Sequence, residues 1–243
     1  MFSILAGLGR RAVTFDPPGA YASTRRPDVS MREMLECSIE VMKIAGIETP
    51  VDVVGHSMGG LCALALAIEY DDIVDKLIVI DSLTGGPAVR RHRALPYNWR
   101  FQSRNFRRFV RHGLKAATGV ATLRDHKILQ RIVMNASYHD EFYLASHLAD
   151  IGPDNPADRH IHAPARNVWP TKIARLDYVK RLTSINVPTL IIAGRYDPQV
   201  PQSAAEEMHA GVRGSRLVFF EESAHYPFIE EPDRFIRELQ SFL

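Results

Sequence analysis

The chain of 243 residues is long enough for one large domain, and its composition of 46% hydrophobic and 24% charged residues indicates a globular protein with a sizeable core. The formal net charge of only +2 excludes a strong overall attraction to nucleic acid or to an anionic membrane. No apolar run approaches the roughly 20 residues of a membrane-spanning helix, and the first residues lack the basic start of a signal peptide, so we expect a cytoplasmic protein without a membrane partner.

Short β-branched and apolar runs alternate with longer segments of helical period, which predicts an α/β fold with a mostly parallel sheet flanked by helices. Strands are predicted at residues 11–16, 51–54, 77–81, 189–193 and 217–221. Helices are predicted at residues 31–46, where Ser30 can serve as the N-cap, at residues 58–70, and from about Pro232 to the last residues.

The segment of residues 85–181 interrupts this alternation, because it has helical patterns but no convincing strand. About a hundred residues is far more than a crossover between strands requires. We therefore predict an α/β core of residues 1–84 and 182–243, with residues 85–181 inserted as a mostly helical cap over the carboxyl edge of the sheet.

Residues 90–111 contain eight arginines interleaved with aromatic side chains, a composition also found in nucleic-acid-binding proteins. Because the whole chain is nearly neutral, an amphipathic cap helix is the favoured interpretation and no nucleic-acid partner is expected. A cap groove that favours acidic or aromatic substrates is a further hypothesis for this segment.

The strongest motif is Gly-His-Ser-Met-Gly at residues 55–59, between a predicted strand and a small-residue helix. This G-x-S-x-G pattern in a strand–turn–helix context is typical of a serine nucleophile. We expect Gly55 and Gly59 to permit the sharp turn and close packing, which leaves Ser57 strained and exposed at the sheet edge. The backbone N–H of Met58, at the following helix N-terminus, would stabilise an oxyanion on the substrate carbonyl.

A serine hydroxyl needs a base to take its proton, and the base needs a carboxylate to hold it. Asp197 follows the strand predicted at residues 189–193, and His225 follows the one predicted at residues 217–221. Both fall on loops beyond strands, in the chain order Ser, Asp, His that a nucleophile-elbow hydrolase requires. Asp81, at the end of another predicted strand, is the alternative candidate for the carboxylate that holds the base. If it does not have this role, we expect Asp81 to be a polar loop residue or a cap for the residues that follow.

The sequence resembles the α/β-hydrolase superfamily at residues 55–60, 194–197 and 223–225, with Glu-Glu-Pro following at residues 230–232. Residues 15–19 resemble the loop that follows an early strand in that family, although residues 20–23 depart from it. The resemblance implies that Ser57 is the nucleophile, His225 the general base and then acid, and Asp197 the orienting carboxylate. It also implies an oxyanion donor in the Met58 N–H and an acyl-enzyme mechanism without a cofactor.

Members of that family usually carry strands before the loop near Asp16 and a His-Gly turn that supplies a second oxyanion N–H. Residues 4–9 lie too close to the strand predicted at residues 11–16 for that turn, and we expect them to end the helix that follows it. Either the protein begins upstream, or it is a cut-down hydrolase whose acylation is slower by about a hundred- to a thousandfold. In the second case a homodimer could cover the exposed sheet edge.

Candidate substrate-binding residues are His56, Trp169 and Tyr226, with core packing as the alternative for the last two. No metal site is expected, because the histidines of the cap region are irregularly placed, at His139, His147, His160 and His162.

The favoured function is a serine hydrolase that acts on a small carboxylic ester or a related small-molecule acyl substrate. A proline iminopeptidase-like peptidase is the runner-up, and it would need a cap carboxylate such as Asp140 or Glu141 to bind the substrate amine. An aspartate nucleophile is disfavoured because position 57 is serine. A catalytically impaired hydrolase fold used for binding is the alternative of a different class.

Overall fold

In a computed structural model, the protein is built around a parallel sheet whose strands end at a common carboxyl edge. The structure describes residues 1–18, 23, 30–92, 106–118, 120, 122, 124–125, 128–129, 132, 137–139 and 175–243. Among these residues, no helix combines the length and the apolar character needed to cross a membrane.

Within the described ranges, four parallel strands form the sheet in the order β1-β2-β3-β4, which is also their order in the chain. They are β1 (Val51–His56), β2 (Val74–Ile80), β3 (Thr189–Gly194) and β4 (Arg216–Phe220). In the register, His56 pairs with Ile80, Ile80 with Ile192, and Gly194 with Phe220. All four strands therefore end at one edge, which is where a parallel α/β sheet places its ligands.

Helices cover both faces of the sheet. They are α1 (Phe2–Gly7), α2 (Met31–Ile44), α3 (Met58–Glu69), α4 (Gly86–Arg91), α5 (Phe106–Ala117), α6 (Gln202–Gly211), α7 (Pro227–Glu230) and α8 (Pro232–Phe242). Short 3₁₀ segments occupy Asp71–Ile73 and Val179–Ser184. The sequence-based prediction of an α/β fold with a parallel sheet flanked by helices is confirmed.

The period-two alternation of β2 explains why both faces are covered. Leu77 and Val79 point into a core formed with α2, α3 and α6, whereas Ile78 and Ile80 point into a second core formed with α1 and α8. All four side chains are buried, as expected for an inner strand of a parallel sheet.

The helix predicted to begin after Ser30 is confirmed as α2. The Ser30 hydroxyl accepts the backbone N–H of Glu33 at 3.2 Å, and the Glu33 carboxylate accepts the backbone N–H of Ser30 at 2.8 Å. This reciprocal capping box satisfies donors that a helix start otherwise leaves unpaired. The helices predicted after Ser57 and from Pro232 are likewise present, as α3 and α8.

The strand predicted at residues 11–16 is wrong, because these residues form no ladder with the sheet. Side chains attach this segment instead: Arg10 forms an ion pair with Asp52 at 2.5 Å, and Arg11 donates to the carbonyl oxygen of Ala45. An apolar run becomes a strand only when a neighbour pairs with its backbone. Preceding it, α1 agrees with the expectation that residues 4–9 end a helix.

The two ends of the predicted cap insertion meet beside the sheet. An isolated antiparallel bridge joins Gly85 to Asp177, with the Gly86 N–H donating to the Leu176 carbonyl at 2.9 Å and the Tyr178 N–H donating to that of Thr84 at 2.8 Å. The chain thus leaves and re-enters the core at one place. Within residues 85–181, α5 provides a helix in the arginine-rich part of the chain, and most other residues of this predicted insertion lie outside the described residues, so the cap stays a prediction.

Candidate active site

Ser57 occupies the turn between β1 and α3 in a backbone conformation that non-glycine residues rarely adopt. Its φ is 53° and its ψ is −118°. The Ser57 N–H donates to the Ile80 carbonyl at 2.9 Å, and the Ser82 hydroxyl donates to the Ser57 carbonyl at 2.7 Å. These bonds to the end of β2 hold the strained residue in place, and strain of this kind is concentrated at functional sites.

Two glycines, Gly55 and Gly60, make this turn possible, whereas the sequence analysis predicted Gly55 and Gly59. A Cβ on Gly55 would lie 2.2 Å from the Gly59 carbonyl oxygen, and a Cβ on Gly60 would lie 2.5 Å from the Cβ of Ser82. A Cβ on Gly59 would meet no atom within 4 Å. The packing role predicted for Gly59 is therefore wrong, because this residue faces outwards and contributes only its carbonyl to the contact.

His225 and Asp197 meet on the loops that follow β4 and β3. The Nδ1 of His225 donates to Oδ2 of Asp197 at 2.6 Å, and both side chains are buried. The other oxygen of Asp197 accepts the backbone N–H groups of Gln199 at 2.7 Å and Val200 at 3.1 Å. With its Nδ1 proton bound by the carboxylate, the imidazole has Nε2 as its acceptor, as a general base requires.

The two loops are adjacent because Gly194 has no side chain. A Cβ on Gly194 would lie 1.7 Å from the Ala224 carbonyl oxygen. The Tyr196 N–H also donates to the Ser223 carbonyl at 3.0 Å, which fastens the loops together. Gly194 thus permits the close approach of Asp197 to His225.

Met58 is the first residue of α3, so its N–H has no acceptor within the helix. The positive end of the helix dipole lies at the same place and favours a negative charge there. Both features suit the oxyanion role that the sequence predicts for Met58.

His56 and Tyr226 pack around the ring of His225. The centroid of the His56 ring lies 4.7 Å from that of His225 and 5.3 Å from that of Tyr226. The Nε2 of His56 is 2.7 Å from the His225 carbonyl oxygen. Burial and the charge of His225 hold the pKa of His56 well below its usual range, so His56 supports the loop of His225 as a neutral ring. Trp169, the third predicted substrate-binding residue, lies outside the described residues.

Ser137 is a residue of the site that no sequence motif identified. Its carbonyl oxygen accepts the His225 N–H at 2.9 Å, and its hydroxyl accepts the Gln199 side-chain amide at 2.7 Å. It therefore contacts the loop of His225 and the loop of Asp197. No spacing or composition signal marked Ser137, because its role depends on contacts across the fold.

Glu230, on α7, connects parts of the same region through a partly buried carboxylate. It accepts the backbone N–H of His139 at 2.5 Å and that of Ala224 at 2.8 Å. Burial raises the pKa of Glu230 to about 7, against the lowering effect of these N–H donors. The sequence contained one signal for this residue, the Glu-Glu-Pro that follows the histidine motif.

Asp81 is not the partner of His225, because Asp197 holds the Nδ1 proton. It is not a solvated loop residue either, since it is only 1% exposed and accepts the Gly194 N–H at 2.8 Å. Among the residues that the structure describes, potential metal ligands converge at one group, where atoms of His56, Asp81 and His225 lie within 4.8 Å of one another. One nitrogen of each histidine is already within hydrogen-bond distance of an oxygen, and the absence of a metal stays a prediction.

Known proteins similar to this chain have the same architecture. A family model described as the alpha/beta hydrolase fold matches residues 1–232. Among solved structures, the enol-lactonase from Burkholderia xenovorans LB400 superposes with a TM-score of 0.76 at 20% identity, covering 99% of this chain and 86% of that one. An alpha/beta fold family hydrolase from Bacillus anthracis gives 0.75 at 23% identity, covering 94% and 80%. At these identities the structures show the fold alone.

Curated relatives include hydrolases of two kinds. A proline iminopeptidase from Saccharolobus solfataricus is 27% identical over 206 residues, which are 79% of this chain and 61% of that protein. The chain thus spans less than two thirds of that relative. A 2-hydroxy-6-oxononadienedioate/2-hydroxy-6-oxononatrienedioate hydrolase from Cupriavidus pinatubonensis is 27% identical over 244 residues, covering 98% of this chain and 78% of that protein. Since the family model spans nearly the whole chain and the parallel sheet has the matching fold, the protein belongs to the α/β hydrolase family.

Proposed function

We propose that the protein is a serine hydrolase that cleaves a small carboxylic ester, or a related acyl compound, through an acyl-enzyme on Ser57. The observation that carries this proposal is the 2.6 Å hydrogen bond between His225 and Asp197 at the sheet edge where Ser57 is held in its strained turn. A serine in a strand-to-helix turn is common, but a buried imidazole oriented by a buried carboxylate at the same edge is the arrangement that activates it.

In the first half of the proposed reaction, Nε2 of His225 takes the proton of the Ser57 hydroxyl as its oxygen attacks the substrate carbonyl carbon. The carbonyl oxygen becomes an oxyanion, which accepts a hydrogen bond from the Met58 N–H. When the tetrahedral intermediate collapses, the bond to the leaving alcohol breaks and His225 returns the proton to that alcohol. The acyl group remains as an ester of Ser57.

In the second half, His225 takes a proton from water, and the hydroxide attacks the acyl carbon. Collapse of this second intermediate releases the carboxylic acid and restores the Ser57 hydroxyl with the proton from His225. Asp197 keeps the imidazole in one tautomer and stabilises the positive charge that it carries in both halves.

Cleavage of a carbon–carbon bond is the second candidate, and the names of the relatives favour it. Several proteins that align with 98% of this chain are named 2-hydroxy-6-oxononadienedioate/2-hydroxy-6-oxononatrienedioate hydrolase. An iminopeptidase activity is supported by the name of one relative, of which the chain covers 61%. Its predicted amine-binding carboxylates, Asp140 and Glu141, lie outside the described residues.

The test compares three substrates on one preparation: a short-chain p-nitrophenyl ester, a proline p-nitroanilide and a 2-hydroxy-6-oxo-dienedioate. We expect the ester to be turned over fastest, with an acyl group found on Ser57 by mass spectrometry after rapid acid quench. Ser57→Ala should abolish turnover, while Ser184→Ala, a change at an exposed serine, should not alter it. Turnover of the dienedioate alone would replace the ester assignment with carbon–carbon cleavage, and no turnover of any substrate would favour a binding protein.

A further inference from the structure

Asp81 is a second buried carboxyl group beside the pair of Asp197 and His225. It follows β2 with a φ of 42°, and 1% of its surface is exposed. Its Oδ1 accepts the Gly194 N–H at 2.8 Å, but its Oδ2 is buried and no hydrogen-bond donor faces it among the described residues. A buried carboxylate oxygen without a donor is costly, so this oxygen requires an explanation.

The neighbours of Asp81 offer acceptors rather than donors. Asp197 has about four lone-pair sites on its two oxygens, and three of them are used by Gln199, Val200 and His225. One site is left, and Asp81 is joined to the same turn, because Gly194 donates its N–H to Asp81 and accepts the Asp197 N–H at 3.3 Å. Two adjacent buried carboxyl groups do not both ionise, because their charges repel each other where water cannot screen them. A proton on Asp81 resolves both problems.

We propose that Asp81 is a neutral carboxylic acid whose Oδ2–H donates a hydrogen bond to Asp197, which makes it a positioning residue for the Asp197–His225 pair. The proposal rests on the proposed function for its catalytic meaning, although the hydrogen bond itself does not depend on which substrate is cleaved. No covalent bond forms or breaks in this role, and the proton stays on Asp81 throughout the reaction.

The electrostatic surroundings agree with a proton on Asp81. Burial and the negative charge of Asp197 raise the pKa of Asp81 well above its usual range, against the lowering effect of the Gly194 N–H. The charge of Glu230, on α7, also raises it. In the part of the chain that the structure describes, the other titratable groups close to Asp81 are His56, at the end of β1, and His225, after β4. His56 is held neutral by its own lowered pKa and so supplies no positive charge to ionise Asp81.

This hydrogen bond has a chemical consequence for the general base. An O–H donor takes up part of the negative charge on Asp197, so Asp197 attracts a proton to His225 less strongly than an unsupported carboxylate would. It also fixes the Asp197 carboxylate from the side of β2, which the loop N–H groups do not reach. The positive φ of Asp81 aims its side chain along the sheet edge towards Gly194, at a cost that local contacts must offset.

The direction in which the titration midpoint of His225 shifts in Asp81 variants distinguishes a neutral Asp81 from an ionised one. The pH dependence of the His225 ring is measured by NMR on the full chain with ¹⁵N-labelled histidine, and the resonance is assigned with His225→Gln. Asp81→Asn keeps a donor facing Asp197 and an acceptor facing Gly194, so its midpoint should stay within about 0.3 pH units of that of the unmodified protein. Asp81→Ala removes the donor, and its midpoint should rise by about one unit.

A fall of the midpoint in Asp81→Asn would overturn the proposal, since removal of a negative charge makes a nearby imidazole harder to protonate. Unmoved midpoints in both variants would also overturn it, because a purely structural role predicts only a loss of stability. Asp75→Asn, at an exposed position of the same strand, is the matched control. If Asp81→Ala does not fold, the infrared difference between the unmodified protein and Asp81→Asn must show the band of a protonated carboxyl group, and its absence refutes the proposal.

The NMR and infrared measurements require no turnover. A protein that shows these shifts but hydrolyses no substrate would retain the role of Asp81 and lose the proposed function. Turnover through Ser57 without these shifts would retain the proposed function and refute the role of Asp81.

Discussion

The carbonyl oxygen of Gly59 lies 2.2 Å from the point where a Cβ on Gly55 would stand. A methyl group at Gly55 therefore has no space unless the turn that carries Ser57 moves. The two glycines of the G-x-S-x-G motif are thus unequal, because only Gly55 is required by packing.

Gly55→Ala should destabilise the protein by about 3 kcal/mol and abolish reactivity at Ser57, because backbone atoms must shift to accept the methyl group. Gly59→Ala should change the free energy of unfolding by less than about 1 kcal/mol, since the new methyl group meets open space on the first turn of α3. Urea unfolding of both variants measures the difference. Equal destabilisation would contradict the packing described for the turn.

Asp197→Asn should lower kcat/KM by about three to four orders of magnitude while the protein stays folded. The loop N–H groups of Gln199 and Val200 would keep the amide oxygen on their side, so the amide NH₂ would face Nδ1 of His225. The imidazole would then carry its proton on Nε2 and could not accept one from Ser57. Steady-state kinetics with circular dichroism tests this, and Asp75→Asn serves as the neutralising control. Activity within tenfold of the unmodified protein would show that another group orients His225.

Glu230→Gln should remove one component of the pH dependence of stability. The pKa of this carboxyl group is raised from 4.5 to about 7 in the folded protein. Its folded form therefore holds the proton more tightly than the unfolded chain does, and the associated stability, present below pH 4.5, is lost as the pH rises through about 7. The free energy of unfolding of the unmodified protein should fall relative to that of Glu230→Gln across this window, by roughly 3 kcal/mol. A constant difference between pH 4 and 8 would contradict the burial of this charge.

Much of the framework was accessible from sequence because its signals are local. Short β-branched and apolar runs identified the four strands, and Ser30 identified the start of α2. The motifs around Ser57 and His225 were also recognisable, because each lies in a turn or loop directly after a predicted strand. The prediction at residues 11–16 failed because a strand depends on a paired neighbour, which no local pattern reveals.

The remaining features of the site depend on contacts between distant segments. Ser137 bonds with residues 62 and 88 positions away along the chain, and no motif surrounds it. The proton proposed for Asp81 depends on which groups face it across β2 and β3, which the sequence alone does not show. Local motifs therefore marked Ser57, Asp197 and His225, whereas Ser137, which contacts two loops through long-range hydrogen bonds, had no local signal.

The most direct test of the central claim, that His225 and Asp197 activate Ser57, is the rate at which a fluorophosphonate labels the protein. The site of labelling is mapped by peptide mass spectrometry, in the unmodified chain and in His225→Gln. We predict rapid labelling on Ser57 alone, with the rate constant at least about a hundredfold lower in His225→Gln because the hydroxyl loses its base. Labelling at equal rates in the two proteins, or none at Ser57 in either, would contradict the claim.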